Sequence, residues 1–218
     1  MRFILAALVA LTAATLIVFA IWPGIDLDVA RLFYGPAGFV GQGGLGRAGR
    51  EFFRMTPYLL LFGFAALYLL RQLGAPVPYA PSSRALVFLL ASMAIGPGLI
   101  VNLGLKDHAH RPRPGHITQF GGQDEFRPWY RFDGACKKNC SFVSGEAAQG
   151  FWMVAPASLA PPPYRPLAIG AALVFGLGAS TLRLAYGGHF LSDALLGGLI
   201  TLIVVILVNR AVWPRGRP

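Results

Sequence analysis

Three short stretches of a largely apolar chain hold the groups that phosphate chemistry requires: residues 106–114, 141–146 and 182–193. Lys106, Arg113 and Arg183 can neutralise a phosphate dianion, and the two arginines offer forked donors that match its oxygens. Ser144 and Gly145 stand where a helix should begin. Their backbone amides and the helix dipole would add to an anion site there. His189 and Asp193 are four residues apart. If a helix has started by His189, both lie on one face, and the carboxylate can orient the imidazole and stabilise its cation.

Each group has a plainer explanation to weigh. An Arg or Lys near a helix end usually snorkels to the interface, but Arg183 sits against an apolar block where an unpaired charge is costly. A lone histidine is more often structural, yet His189 comes with Asp193 and three cations. Arg111 is an additional candidate for the phosphate site, or equally a contact to a lipid head group. His108 and His110 read as loop residues.

The elements that must position these groups are membrane helices. Of 218 residues, 55% are hydrophobic and 13% charged, about half the charge of a soluble domain. The apolar residues form blocks at 3–22, 55–70, 85–105, 144–159, 167–182 and 190–208. Each is near the ~17–25 residues that cross a ~30 Å hydrocarbon core, so an all-α, polytopic, six-span bundle is expected. It forms a single domain over 1–218, with an outer loop at 23–54 and the motif region at 106–193. The first block is longer than the apolar core of a signal peptide and reads as a retained helix. Gly96-Pro97-Gly98 falls within the third block and should kink it or open space for a neighbour. The outer segment 25–54 mixes Leu27, Leu32, Phe33 and Tyr34 with Arg31, Arg47, Arg50 and Arg54. It reads as an interfacial guide for an anionic lipid or as an ordinary packed loop.

With the N-terminus inside, the inner segments hold Arg2, Arg71, Arg84, Arg165, Arg210, Arg215 and Arg217 and no acidic residue. Both termini are therefore expected in the cytoplasm. All three chemical stretches then fall at outer helix ends and face one pocket. The net charge of +10 reflects this distribution and does not call for a nucleic-acid partner. Cys136 and Cys140 are too few for a zinc site, and an oxidising compartment favours a short-loop disulfide between them.

The pattern Lys-x6-Arg-Pro, Ser-Gly, then Arg-x5-His-x3-Asp resembles the type 2 phosphatidic acid phosphatase (PAP2) superfamily. Lys106, Arg113-Pro114, Ser144-Gly145, Arg183, His189 and Asp193 match it in order and spacing. The resemblance implies a lipid phosphatase that uses no cofactor and no metal. His189 would form a phosphohistidine, Asp193 would hold its other nitrogen, and Lys106, Arg113, Arg183, Ser144 and Gly145 would bind the phosphate. It also implies an active site facing the periplasm from a bacterial inner membrane.

Two positions depart from the family. Glu146 stands where a histidine usually protonates the leaving group, and Leu182 replaces a serine. Glu146 is the favoured candidate for a catalytic acid that donates the proton itself; it could instead be dispensable if the leaving group is good, or could yield the role to His108, His110 or His116. It could also simply pair with an arginine. Lipid A or a phospholipid phosphate is the favoured substrate among lipid A phosphates, phosphatidylglycerophosphate, phosphatidic acid and polyprenyl diphosphates. The rivals are a phosphotransferase between lipids and a non-catalytic binder or transporter of an anionic lipid.

Overall fold

A computed structural model describes residues 2–215. The order is α1 (Arg2–Ile21), α2 (Gly24–Arg31), a hairpin of β1 (Tyr34–Gly35) and β2 (Gly38–Phe39), α3 (Gly44–Gln72), α4 (Ser83–Met93), α5 (Gly145–Trp152), α6 (Val154–Ala157), α7 (Arg165–Ala185) and α8 (Leu191–Val212). Helix α4 runs on without a break into a π-helical stretch, Ala94–Lys106. Pro97 has no amide to donate and lies in this stretch, where the wider turns absorb it. The Asn102 side chain donates to the Pro97 carbonyl at 2.7 Å. At Gly96 the stretch lies close to α8, where an added Cβ would sit 3.5 Å from Val204.

The chain is an all-α membrane protein. Among the described residues, five helices are long and apolar enough to cross a bilayer: Arg2–Ile21, Gly44–Gln72, Ser83–Lys106, Arg165–Ala185 and Leu191–Val212. The sixth predicted block, 144–159, carries the chain from the motif end at Ser144 back to the start of α7 as two shorter helices. That block breaks at Met153 into α5 and α6, so 145–157 extends about 20 Å, short of a ~30 Å core. It has no lipid to match because α3, α7 and α8 pack around α5. Ala147, Ala148 and Trp152 have no exposed surface, and the Trp152 indole donates to Ser92 Oγ at 3.0 Å. Arg217, one of the expected inner-side bases, lies outside the described residues.

Helix α3 also differs from expectation, because it starts at Gly44 rather than near residue 55. Its first turns take Arg47, Arg50 and Arg54 out of the predicted outer segment and present them at the motif end of the bundle. The rest of that segment is α2 and the hairpin. The Tyr34, Phe39 and Phe120 rings meet there at 5.1–5.3 Å, and Phe39 and Phe120 join Ile117 and Phe190 in an apolar cluster.

Helix α8 is the hub. Of its most apolar window 61% is buried, against 11% for α1 and α3, which are left facing lipid. Close approach of α8 to the start of α5 requires Gly197, where an added Cβ would lie 2.6 Å from the Ser144 carbonyl oxygen. Overpacking of this kind costs about 1–3 kcal/mol. Gly197→Ala should therefore lower the thermal unfolding midpoint of the detergent-solubilised protein, whereas Gly170→Ala, with nothing within 4 Å of the added carbon, should not.

Candidate active site

The link between α7 and α8 delivers the imidazole. Gly187 has φ +66°, and a Cβ on it would sit 2.4 Å from the Phe39 ring; one on Gly188 would sit 2.1 Å from an Arg183 nitrogen. The two glycines thus let the chain turn tightly with Arg183 folded against it. His189 follows, 1% exposed. Its Nδ1 lies 2.6 Å from the Ser141 carbonyl oxygen. A carbonyl can only accept, so Nδ1 carries the proton and Nε2 keeps its lone pair. Burial, and then the charges of Arg183, Lys106 and Arg113, hold the imidazole pKa well below its ordinary value, against a smaller opposing effect of the Ser141 bond. The ring is therefore neutral, with the Nε2 lone pair uncommitted.

Asp193 does not take the partner position the sequence suggests. Helix α8 begins at Leu191, two residues after His189, so the ring and the carboxylate do not share a helical face. Asp193 instead caps α8 by accepting from the Phe190 amide at 2.9 Å. It also accepts from Ser141 Oγ at 2.6 Å and from Arg111 Nη1 at 2.5 Å. Ser141 is thus the link: its hydroxyl holds Asp193 and its carbonyl holds His189. Residue types alone do not signal this role, because half of it is played by a backbone oxygen.

Arg111 directs its donors into the protein interior. Its side chain is fully buried and lies between Asp193 and Asp26, with Nη2 2.7 Å from Asp26 Oδ2. Arg111 also donates to Ser192 Oγ at 2.9 Å and to the Arg127 carbonyl at 2.8 Å. The Phe190 ring lies 4.3 Å from its guanidinium carbon. Asp26, on α2, in turn accepts from the Ser192 amide at 2.9 Å and its hydroxyl at 2.6 Å.

The three expected cations do converge on His189, since each acts electrostatically on its ring. Lys106 ends the π-helical stretch. Arg113 donates to the Asn139 carbonyl at 2.8 Å. The segment carrying Asn139 is closed by the Cys136–Cys140 disulfide and tied to the first motif by Cys140 N to Lys106 O and Cys136 N to His110 O, both 3.3 Å. Arg183 is 2% exposed, and its Nε and Nη1 have no hydrogen-bond partner among the described residues.

Ser144 caps α5, accepting from Ala147 N at 3.2 Å, and its own amide donates to the Asp193 carbonyl at 2.9 Å. Ser144 therefore positions α5, leaving the amides of Gly145 and Glu146, which have no intrahelical acceptor, for an anion. Glu146 is paired with Arg50 of α3: Nε and Nη2 lie 3.0 and 2.9 Å from Oε1. His108 and His110 are bound by Nδ1 to the carbonyls of Gly104 and Cys136 at 2.8 and 2.9 Å. His116 is exposed.

Residues 85–217 match the PAP2 superfamily. The chain belongs to this family. PAP2 relatives include a lipid A 4'-phosphatase of Francisella tularensis subsp. novicida, 37% identical over 90% of each chain. Lipid A 4'-phosphatases of Rhizobium etli (33% identical, 88% of this chain and 80% of that one) and Rhizobium leguminosarum (32%, 88% of each) are also similar. No solved structure matches. The PAP2 match takes in every motif residue, but Asp26 and Arg50 lie before it. Nothing in their surroundings in the sequence marks either as part of a site.

Two outcomes follow from this geometry. Removing Arg111 strands two buried carboxylates, so Arg111→Ala should cost about 3–5 kcal/mol, visible as a large drop in the thermal midpoint. Because the folded-state pKa of His189 is depressed, the unfolded chain takes up the proton first as pH falls through the ordinary imidazole range near ~6.5. Wild type should lose stability below that point by up to about 1.4 kcal/mol per pH unit from this group, and His189→Asn should lack that loss. Unfolding midpoints of both proteins at several pH values check this.

Proposed function

We propose that the chain is a metal-independent lipid phosphatase that hydrolyses a phosphomonoester on a lipid head group, with lipid A carrying a 4'-phosphate as the favoured substrate. The single observation that carries this reading is the buried guanidinium of Arg183, with open donors, beside a neutral imidazole whose Nδ1 is already committed. A buried cation with unsatisfied donors is costly, and a phosphate would complete it. Bacterial relatives named lipid A 4'-phosphatases, similar along nearly their whole length, support the choice of lipid.

In the proposed reaction His189 Nε2 attacks phosphorus, an N–P bond forms, and the bond from phosphorus to the lipid oxygen breaks. The leaving oxygen takes a proton from water. Lys106, Arg113, Arg183 and the amides of Gly145 and Glu146 stabilise charge on the transferring oxygens. Asp193 acts through Ser141 to hold the ring and to favour the imidazolium-like phosphohistidine. A second water then cleaves the N–P bond and releases inorganic phosphate. The segments opposite the motif end carry seven arginines and no acidic residue, which supports cytoplasmic termini, an inner-membrane location and a site facing the periplasm.

Purified protein should release inorganic phosphate from lipid A with no lipid acceptor present. His189→Ala should reduce the rate by about a thousandfold or more while the protein remains folded. Alkaline quenching of wild type during turnover should trap a phosphorylated protein. Activity retained in folded His189→Ala would refute the mechanism.

A further inference from the structure

We propose that Arg50 is a fourth phosphate-binding cation of this site and that Glu146 is the positioning residue that holds it there. The inference rests on the phosphatase reading and extends its binding site to a helix that the family motifs do not include.

The geometry begins with one oxygen. Glu146 Oε1 accepts from Arg50 Nε at 3.0 Å and from Nη2 at 2.9 Å, and Arg183 Nε lies 3.6 Å from the same atom. The Tyr186 ring holds both guanidiniums, with their central carbons 5.3 Å (Arg50) and 5.4 Å (Arg183) from its centroid. Arg50 is therefore placed beside the orphaned donors of Arg183. Its side chain is 32% exposed and that of Glu146 15%, so the pair is partly shielded and still within reach of solvent. Arg50 spends Nε and Nη2 on Glu146, and its Nη1 has no acceptor among the described residues.

Charge gives the reason for this arrangement. Lys106, Arg50, Arg113 and Arg183 all act on Glu146 or are acted on by it. Of the other carboxylates near them, Glu51 is paired with Arg54 and Asp193 with Arg111, which leaves Asp107 beside Lys106. Like charges packed this closely repel one another. A structural tie between α3 and α5 would need one arginine and one glutamate, with the charge balanced. The surplus is suited instead to a doubly charged phosphomonoester, to which Arg50 and Arg183 would present donors from two sides. Glu146 carries out the fixing step: it spans 96 residues of sequence to bring α3's arginine to the start of α5. Both partners of that pair are held, so the second cation is in place before the phosphate arrives.

The test uses the full-length protein in detergent, with inorganic phosphate as the binding probe and two substrates. One substrate is a lipid phosphomonoester and the other is an aryl phosphate with a good leaving group. Arg50→Met should weaken inhibition by inorganic phosphate and lower kcat/KM for both substrates by about tenfold or more, with Arg50→Lys in between. Glu146→Gln should lower kcat/KM by a similar factor for both substrates, because it loses an anchor and not a proton. Adding Glu146→Gln to Arg50→Met should restore part of the phosphate affinity by removing a stranded carboxylate.

Unchanged phosphate affinity in folded Arg50→Met or Arg50→Lys would overturn the assignment of Arg50. A Glu146→Gln protein that is unaffected, or is impaired only on the lipid substrate, would overturn the positioning role; the second result would make Glu146 a proton donor. Phosphate binding measured in the His189→Ala background separates these outcomes from failure of the phosphatase reading itself. If wild type released no phosphate, binding by the Arg50 variants would still decide the inference.

Discussion

The structure of the motif end depends on one buried guanidinium. Arg111 joins the α2 carboxylate of Asp26 to the α8 carboxylate of Asp193, with no part of its side chain reaching solvent. Three ions in such surroundings pay a large desolvation penalty, and they are tolerated because nearly every donor and acceptor finds a partner. Ser192, Ser141, the Arg127 carbonyl and the Phe190 amide complete the set. The network fixes where α8 starts, and that start fixes His189. The tautomer of the imidazole, set by the Ser141 carbonyl, is thus a consequence of a buried ion triad.

Much of the site was legible in the sequence because phosphate chemistry demands charge at helix ends, and charge is conspicuous in an apolar chain. Lys106, Arg113, Arg183 and His189 could be named from type and spacing. The partners that hold them could not. Asp26 lies 85 residues from Arg111 and Arg50 lies 96 from Glu146, and neither separation has a local period to betray it. Ser141 acts partly through its backbone, which carries no residue identity. The role first given to Asp193 assumed that α8 had begun by His189. The helix begins two residues later, and that small shift reassigns the carboxylate from the ring to the cap.

Hydropathy gave the fold class, but the sixth block differs from the other five for a related reason. A window of apolar residues reports aversion to water and cannot distinguish exposure to lipid from enclosure by other helices. Residues 144–159 are apolar enough to suggest a span. Yet Trp152, Ala147 and Ala148 are shielded by protein, and the segment stops where its neighbours no longer enclose it. The long α3 shows the converse: its arginine-bearing turns were hidden from a hydropathy reading and prove to be helix continuing past the apolar core.

The enclosure of α5 and α6 bears on how the protein is assembled. A short segment carrying Glu146 and Gln149 is a poor candidate for partitioning into hydrocarbon by itself. Its seat is formed in large part by α7 and α8, which leave the ribosome after it. During synthesis this stretch must therefore wait at the membrane boundary until the later helices arrive and wrap it. Completion of the catalytic centre is then one of the last events of biogenesis, so a chain halted before α8 would be embedded in the bilayer yet chemically inert.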